Sequence, residues 1–256
     1  MCALFESGVS QPVGPIEPAP VTFPKIAGAE IAAAIYKNRV AGDFYDCFRV
    51  GTERTLFGLL DVAGRADTNR RVLDAAQKTF RTLGTELFSP FDINESDAMV
   101  ELCIRLNHKI MEEAGGVHSC PAFLGCYHER FGTLCYTNAG HTPGLLRDGG
   151  AGVVELASTG LPLGLFSHAT CDAPTVGIEK AAALLLVSRG AVEGKSNSDD
   201  GEESEPGLAR AKELLQSDRS QSAQTLCASI LHELGESDDQ RVVPDDMTAL
   251  ALVRTG

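Results

Sequence analysis

Ala41-Gly42-Asp43-Phe44-Tyr45-Asp46, followed after a turn by Thr55-Leu56-Phe57-Gly58-Leu59-Leu60-Asp61-Val62-Ala63-Gly64, decides how this chain reads. The second run is nearly all apolar, which suits a strand buried on both faces. Gly51-Thr52-Glu53 lies between the runs and supplies the turn. Together they predict a hairpin over 44–50 and 54–61 with an aspartate at either open end. An aspartate beside a glycine is an ordinary turn residue. It becomes a candidate ligand when others of its kind arrive from distant parts of the chain.

Two further stations follow. Ser188-Arg189-Gly190 ends the strongest apolar run, 181–187, and Asp245-Asp246-Met247-Thr248 opens the last one, 247–253. Hard divalent cations such as Mg²⁺ and Mn²⁺ prefer oxygen ligands. Strand ends hold carboxylates rigidly. Asp43, Asp61 and Asp245 are therefore candidate ligands of a site for phosphate chemistry, where a bound cation lowers the pKa of water. Arg189 breaks the series. A guanidinium has five donors and no lone pair, so it cannot ligate a cation.

The chain has 256 residues, 43% of them hydrophobic, enough for one sizeable core with modest extensions. Its formal net charge of −13 repels phosphodiester backbones and anionic membranes, so neither nucleic acid nor membrane is expected as a partner. Eight cysteines occur without a C-x-x-C pair, which favours reduced buried thiols over a zinc site. The N-terminal residues show no basic stretch leading into a long apolar one, and the 181–187 run is too short to span a bilayer. A cytoplasmic location is expected.

Residues 1–24 are rich in proline and glycine and read as an extended arm, which leaves 25–256 as the domain. Residues 26–36 fit a helix by local propensity and an edge strand by length, and the sequence leaves both open. Apolar residues recur at the helical period over 69–87, through Val72, Ala76, Phe80 and Leu83, and again over 95–114. Ser96 is placed to cap the second helix and Gly115-Gly116 to end it. The period then changes to two, predicting strands at 122–128, 134–138, 144–147, 153–156 and 182–188. The acidic tract 197–205 reads as a solvated loop, followed by helices at 207–215 and 223–234. Hairpins with helices grouped in pairs predict an α+β layered fold rather than an alternating parallel sheet.

Six segments keep a fixed order: 40–46, 60–64, Asn138-Ala139-Gly140-His141-Thr142-Pro143, Gly160-Leu161-Pro162-Leu163-Gly164, 184–193 and 245–250. In order and spacing they resemble the type 2C metal-dependent (PPM) protein phosphatases, in particular their SpoIIE-like and RsbU-like bacterial branch, over about 23–254. The resemblance implies a β-sandwich flanked by pairs of α-helices. It also implies hydrolysis of phosphoserine or phosphothreonine by a metal-activated water, without a covalent phosphoenzyme. By this resemblance Asp61 bridges two metals, the backbone carbonyl of Val62 serves the first, and Asp43 supports that side. Asp245 and the aspartate of a T-D-G motif hold the second.

That T-D-G motif is Ser188-Arg189-Gly190 here. Three aspartates and one arginine balance one divalent ion, so one Mn²⁺ or Mg²⁺ is expected rather than two, with Arg189 occupying or facing the second position. A further departure is Gly64-Arg65-Ala66-Asp67, where the branch carries a Gly-His-Gly turn. Arg65 is a candidate phosphate contact, and pairing near Asp67 at the surface is the alternative. His141 and the 160–164 segment read as structural. The implied substrate is a phosphorylated regulatory protein, such as an anti-sigma-factor antagonist, in signal transduction. The competing expectation is a docking module that keeps the phosphatase fold with impaired catalysis.

Overall fold

The computed structural model describes residues 21–36, 41–149, 152–192, 206–236 and 246–256, without the side chains of 41, 63–68 and 206. The acidic tract and Asp245 lie outside the described residues.

The hairpin forms as the sequence predicts. Strand β2 (Ala41–Val50) pairs antiparallel with β3 (Arg54–Arg65), from Val50 opposite Arg54 to Asp43 opposite Asp61. Ahead of them, β1 (Ala29–Tyr36) settles the open question at 26–36. Its alanines favour helix locally, but an eight-residue register with the final strand overrides that preference.

Helix α1 (Ala66–Phe88) follows directly from β3, and α2 (Glu95–Ala114) packs beside it. Asn94, not Ser96, caps α2: its side chain accepts from the backbone N–H groups of Ser96 and Asp97 at 3.1 and 3.4 Å. Ser96 instead sends its hydroxyl to the Ala173 carbonyl. Gly115 ends the helix at φ 69°, a conformation a side chain would strain.

Strands β4 (Ala122–His128), β5 (Thr133–Ala139), β6 (Gly144–Arg147) and β7 (Val153–Leu156) come next. Then come β8 (Thr175–Gly177) and β9 (Ala183–Val187). A single turn, α3 (Arg189–Val192), is followed by α4 (Pro206–Ser217), α5 (Ala223–Glu236) and β10 (Met247–Arg254). One sheet runs β1-β10-β9-β6-β7 and the other β2-β3-β4-β5-β8, all in antiparallel pairs.

Strand alternation builds three apolar layers. Phe57, Leu59, Phe123, Leu184, Leu186, Leu250 and Leu252 fill the space between the sheets. Each such side chain contributes about 1.5–3 kcal/mol relative to exposure. Leu56, Leu60, Leu124 and Cys126 face outward from the second sheet onto α1 and α2. Leu185, Val187, Ala249 and Ala251 face α4 and α5 from the first. The product is the expected β-sandwich flanked by helix pairs. At the proline-rich arm, Val21 and Phe23 pack against the inter-sheet layer, with Phe23 stacked 6.2 Å from Tyr45. No described helix is long and apolar enough to cross a membrane.

Candidate metal and phosphate site

Alternation also explains why acidic residues meet. Asp43 continues the row of Tyr45 and Cys47, and Asp61 the row of Phe57 and Leu59; both rows face between the sheets. As direct cross-strand partners the two carboxylates share one face. In the opposite sheet, Ser188 follows Leu184 and Leu186, and Thr248 precedes Leu250 and Leu252 on the same inward rows. The beginnings of β2 and β10 thus lie with the ends of β3 and β9 at one rim of the sandwich.

The sequence candidate at the last station, Asp245, lies outside the described residues, and its neighbour Asp246 is placed by the structure. Asp246 is the aspartate in parity with Thr248, Leu250 and Leu252, and it is 2% exposed. The strand period contained this signal. Ser188 fixes the rim: its Oγ donates to the Asp246 carbonyl, its Oγ accepts from Thr248 N–H, and its N–H donates to the Thr248 carbonyl, at 2.9–3.0 Å.

Asp43, Asp61 and Asp246 are all buried. Burial chiefly, then the charges of Asp61 and Asp246, push the Asp43 carboxyl up from 3.8 to about 8; the nearby Thr248 and Ser188 hydroxyls act in the opposite sense. The hydroxyls do not saturate it. Asp43 Oδ2 is buried without a hydrogen-bond partner, as is Thr248 Oγ1. Arg189, at the start of α3, brings Nε to 3.6 Å from Asp61 Oδ2, with the arginine side chain 45% exposed and the aspartate 7%.

A divalent cation fits part of this arrangement. The unpartnered Asp43 Oδ2 is an available oxygen beside a second carboxylate. Gly42 lies opposite Val62, where a Cβ would stand 2.5 Å from the Val62 carbonyl oxygen, so glycine keeps that oxygen uncovered. Among the described residues, no group of three or more His, Cys, Asp or Glu side chains is arranged to hold a metal. The described chain therefore provides a two-carboxylate half-site with a cation of its own alongside. The side chain of Arg65 lies outside the described residues, so its phosphate and surface alternatives both stand.

The motif at 138–143 braces the rim. Asn138 Oδ1 accepts from His141 N–H at 2.8 Å, and Asn138 Nδ2 donates to the Thr142 and Leu156 carbonyls. The Thr142 hydroxyl donates to the Val187 carbonyl, next to Ser188. His141 Nδ1 lies 3.0 Å from that hydroxyl, and burial lowers the imidazole to about 4, keeping it neutral. One aspartate of the opening motif has a different task. Asp46 points outward to α1, where Arg81 grips it through Nε and Nη2 at 2.7 and 2.6 Å.

A cavity of about 350 Å³ opens at the far rim beside Arg147, Arg219 and Ser220. There Arg147 and Arg219 donate to the Leu215, Gln216 and Asp218 carbonyls that finish α4, a helix-capping role.

Residues 51–255 match the family described as Stage II sporulation protein E (SpoIIE). The chain belongs to the SpoIIE family. Among curated proteins it is similar to the phosphoserine phosphatase RsbP of Bacillus subtilis (strain 168), with 23% identity over 156 residues. That stretch covers 61% of this chain and 38% of RsbP, so the chain spans well under half of that relative. Among solved structures, the RsbU and RsbW domains of Rv1364c from Mycobacterium tuberculosis superpose with a TM-score of 0.73 at 24% identity, over 92% of this chain and 64% of that one. RsbX in complex with magnesium superposes at 0.63 and 10% identity, over 91% and 99%. The SpoIIE-family fold is thus the PPM phosphatase fold expected from the motifs.

Proposed function

We propose that this SpoIIE-family chain is a metal-dependent protein serine/threonine phosphatase in which Arg189 replaces the second cation. The observation that carries this reading is the 3.6 Å approach of Arg189 Nε to Asp61 Oδ2. The three candidate ligand carboxylates, Asp43, Asp61 and Asp245, with one guanidinium leave a net charge of two negative units, which a single divalent cation balances. Asp43, Asp61 and the Val62 carbonyl would hold one Mn²⁺ or Mg²⁺, with Asp245 as a further candidate. RsbX, with magnesium bound on the same fold, supports the choice of ion class. A bound ion would supply Lewis-acid charge for phosphate and water.

The chain's own residues set the rest of the chemistry. Arg189 is half-exposed, and its planar donors match the oxygens of a phosphate arriving from solvent. Asp61 orients that guanidinium from its buried side. Asp43 holds a proton when no cation is near, which limits charge repulsion within the buried cluster. The proposed substrate is a phosphorylated regulatory protein in the cytoplasm, of the anti-sigma-factor-antagonist kind. RsbP, a phosphoserine phosphatase by name, supports the reaction class.

A second reading keeps the fold as a docking module with impaired catalysis. Arg189 itself favours it, because a fixed cation beside Asp61 competes with any mobile one. Hydrolysis of p-nitrophenyl phosphate with and without Mn²⁺ separates the two, using the native chain, Asp61→Asn and Arg189→Asp. Metal-dependent turnover by the native chain that disappears in Asp61→Asn supports the enzyme. Turnover found only in Arg189→Asp sinks it in favour of the docking module.

A further inference from the structure

Two thiols outside the carboxylate cluster are held together by three parallel tracks of the fold. On α2, Ser96 and Cys103 are about two turns apart and share a face. On β5, Cys135 and Thr137 share a face. Cys171 and Ala173 alternate in the same way along the segment that enters β8. At one end of the tracks, the Ser96 hydroxyl and Cys135 Sγ both donate to the Ala173 carbonyl. At the other end, Cys103 belongs to the core cluster against which Cys171 packs, and the Thr137 hydroxyl donates to the carbonyl of Asp172, next to Cys171, at 3.0 Å, which sets the two thiols side by side. Gly160 closes the segment from behind, since a Cβ there would stand 2.9 Å from Cys171 Cβ.

The pair is unequal. Cys103 is buried, whereas Cys171 is only partly so. The neighbouring Cys103 thiol draws the Cys171 thiol down from its ordinary value, and Cys171 in turn pushes Cys103 up. Cys171 is thus the thiolate-forming, accessible member, and Cys103 is the partner behind it. Cys47, Cys120, Cys126 and Cys227 are fully buried, with thiols pushed up chiefly by burial.

We propose that Cys103 and Cys171 form an oxidative modification site, converted by a hydroperoxide into an intramolecular disulfide. The Cys171 thiolate attacks the peroxide, takes one oxygen as sulfenic acid and releases hydroxide. The Cys103 sulfur then attacks Cys171, the S–S bond forms, and the hydroxyl leaves as water. With hydrogen peroxide, two thiols lose two electrons and two protons, and one peroxide becomes two waters.

The new bond would staple α2 to the segment between β7 and β8. Polar contacts already join them: Asn107 accepts from Gly164 N–H at 2.7 Å and donates to the Phe166 carbonyl at 3.0 Å, and His108 Nε2 lies 2.9 Å from the Ser167 carbonyl. The segment also bridges towards the rim, through Cys120 with Leu163 and Ala139 with Gly160. The thiol chemistry is independent of the phosphatase reading.

The test treats the full chain with hydrogen peroxide, blocks remaining thiols and maps non-reduced peptides by mass spectrometry. The expected product is one cross-linked pair containing Cys103 and Cys171, lighter by two hydrogens and separated by dithiothreitol. The oxidised chain should melt several degrees higher than the reduced chain, with no such rise in Cys171→Ser. In Cys103→Ser, Cys171 should accumulate as a dimedone-trappable sulfenic acid. The proposal is overturned if Cys171 in the native chain becomes sulfinic acid while Cys103 stays a free thiol. Linkage of Cys171 to any other cysteine overturns it equally.

Discussion

Arg189 Nε stands 3.6 Å from Asp61 Oδ2, so a permanent cation occupies the flank of the carboxylate that the family resemblance assigns to two metals. Ser188, bonded to Asp246 and Thr248 through backbone and hydroxyl, fixes where that arginine starts. Replacement by aspartate should exchange a fixed positive charge for a ligand. Calorimetric titration with Mn²⁺ is expected to give one site for the native chain and two for Arg189→Asp. Two tight sites in the native chain would refute the assignment of Arg189.

The Asp43 carboxyl gives a signed pH dependence. Its value rises from 3.8 to about 8 on folding, so the folded chain binds this proton more tightly than the unfolded chain. The contribution of Asp43 to the stability of the metal-free chain is therefore fully present below about pH 4 and is lost as pH rises towards 8, by up to ~1.4 kcal/mol per unit. Urea unfolding across this interval with a chelator present should show the decline, and Asp43→Asn should flatten it. Mn²⁺ must displace the same proton, so its apparent affinity should climb up to about tenfold per unit until pH 8. An affinity independent of pH would remove Asp43 from the ligand set.

Arg81 neutralises a carboxylate with no exposure of its own, Asp46, and its guanidinium also lies 5.3 Å from the centre of the Phe48 ring. Arg81→Ala leaves that charge buried and unpaired. The expected loss is roughly 2–3 kcal/mol, below the range for wholly buried pairs because water reaches the Arg81 side. The midpoint of urea unfolding should fall with an unchanged slope.

Gly42→Ala tests the Val62 carbonyl. The added methyl would meet that oxygen at 2.5 Å, and backbone cannot rotate aside as a side chain can. The expected cost is about 1–3 kcal/mol, with a weaker response to Mn²⁺ in thermal unfolding. Unchanged stabilisation by Mn²⁺ would show that the carbonyl plays no part.

Much of this was legible in the sequence, for reasons that differ by element. The β2–β3 hairpin carries a nearly unbroken apolar run after a turn and the two long helices carry sustained periodicity, so their positions followed from the residues alone. The β1 strand did not, because its alanines prefer helix and only pairing with β10 decides the matter. Strand β8 and helix α3 are too short to carry any period. At the site, Asp43 and Asp61 were found by their place at strand ends. At the last station the sequence offers Asp245, which lies outside the described residues, and counting backwards by two from Leu252 adds its buried neighbour Asp246 to the rim. The Asn94 cap was missed because Ser96 offered an equally good residue type two positions later, and only its bond to Ala173 shows otherwise.

Asp43 and Asp61 belong to one sheet, whereas Ser188, Arg189 and Asp246 come from strand termini of the other. The cluster is consequently a clasp across a seam. Any ligand that bridges it fastens together two sheets whose described side chains meet mainly through an apolar layer. Occupancy should therefore be felt as slowed amide exchange in β2 and β10 alike, although these strands share no ladder.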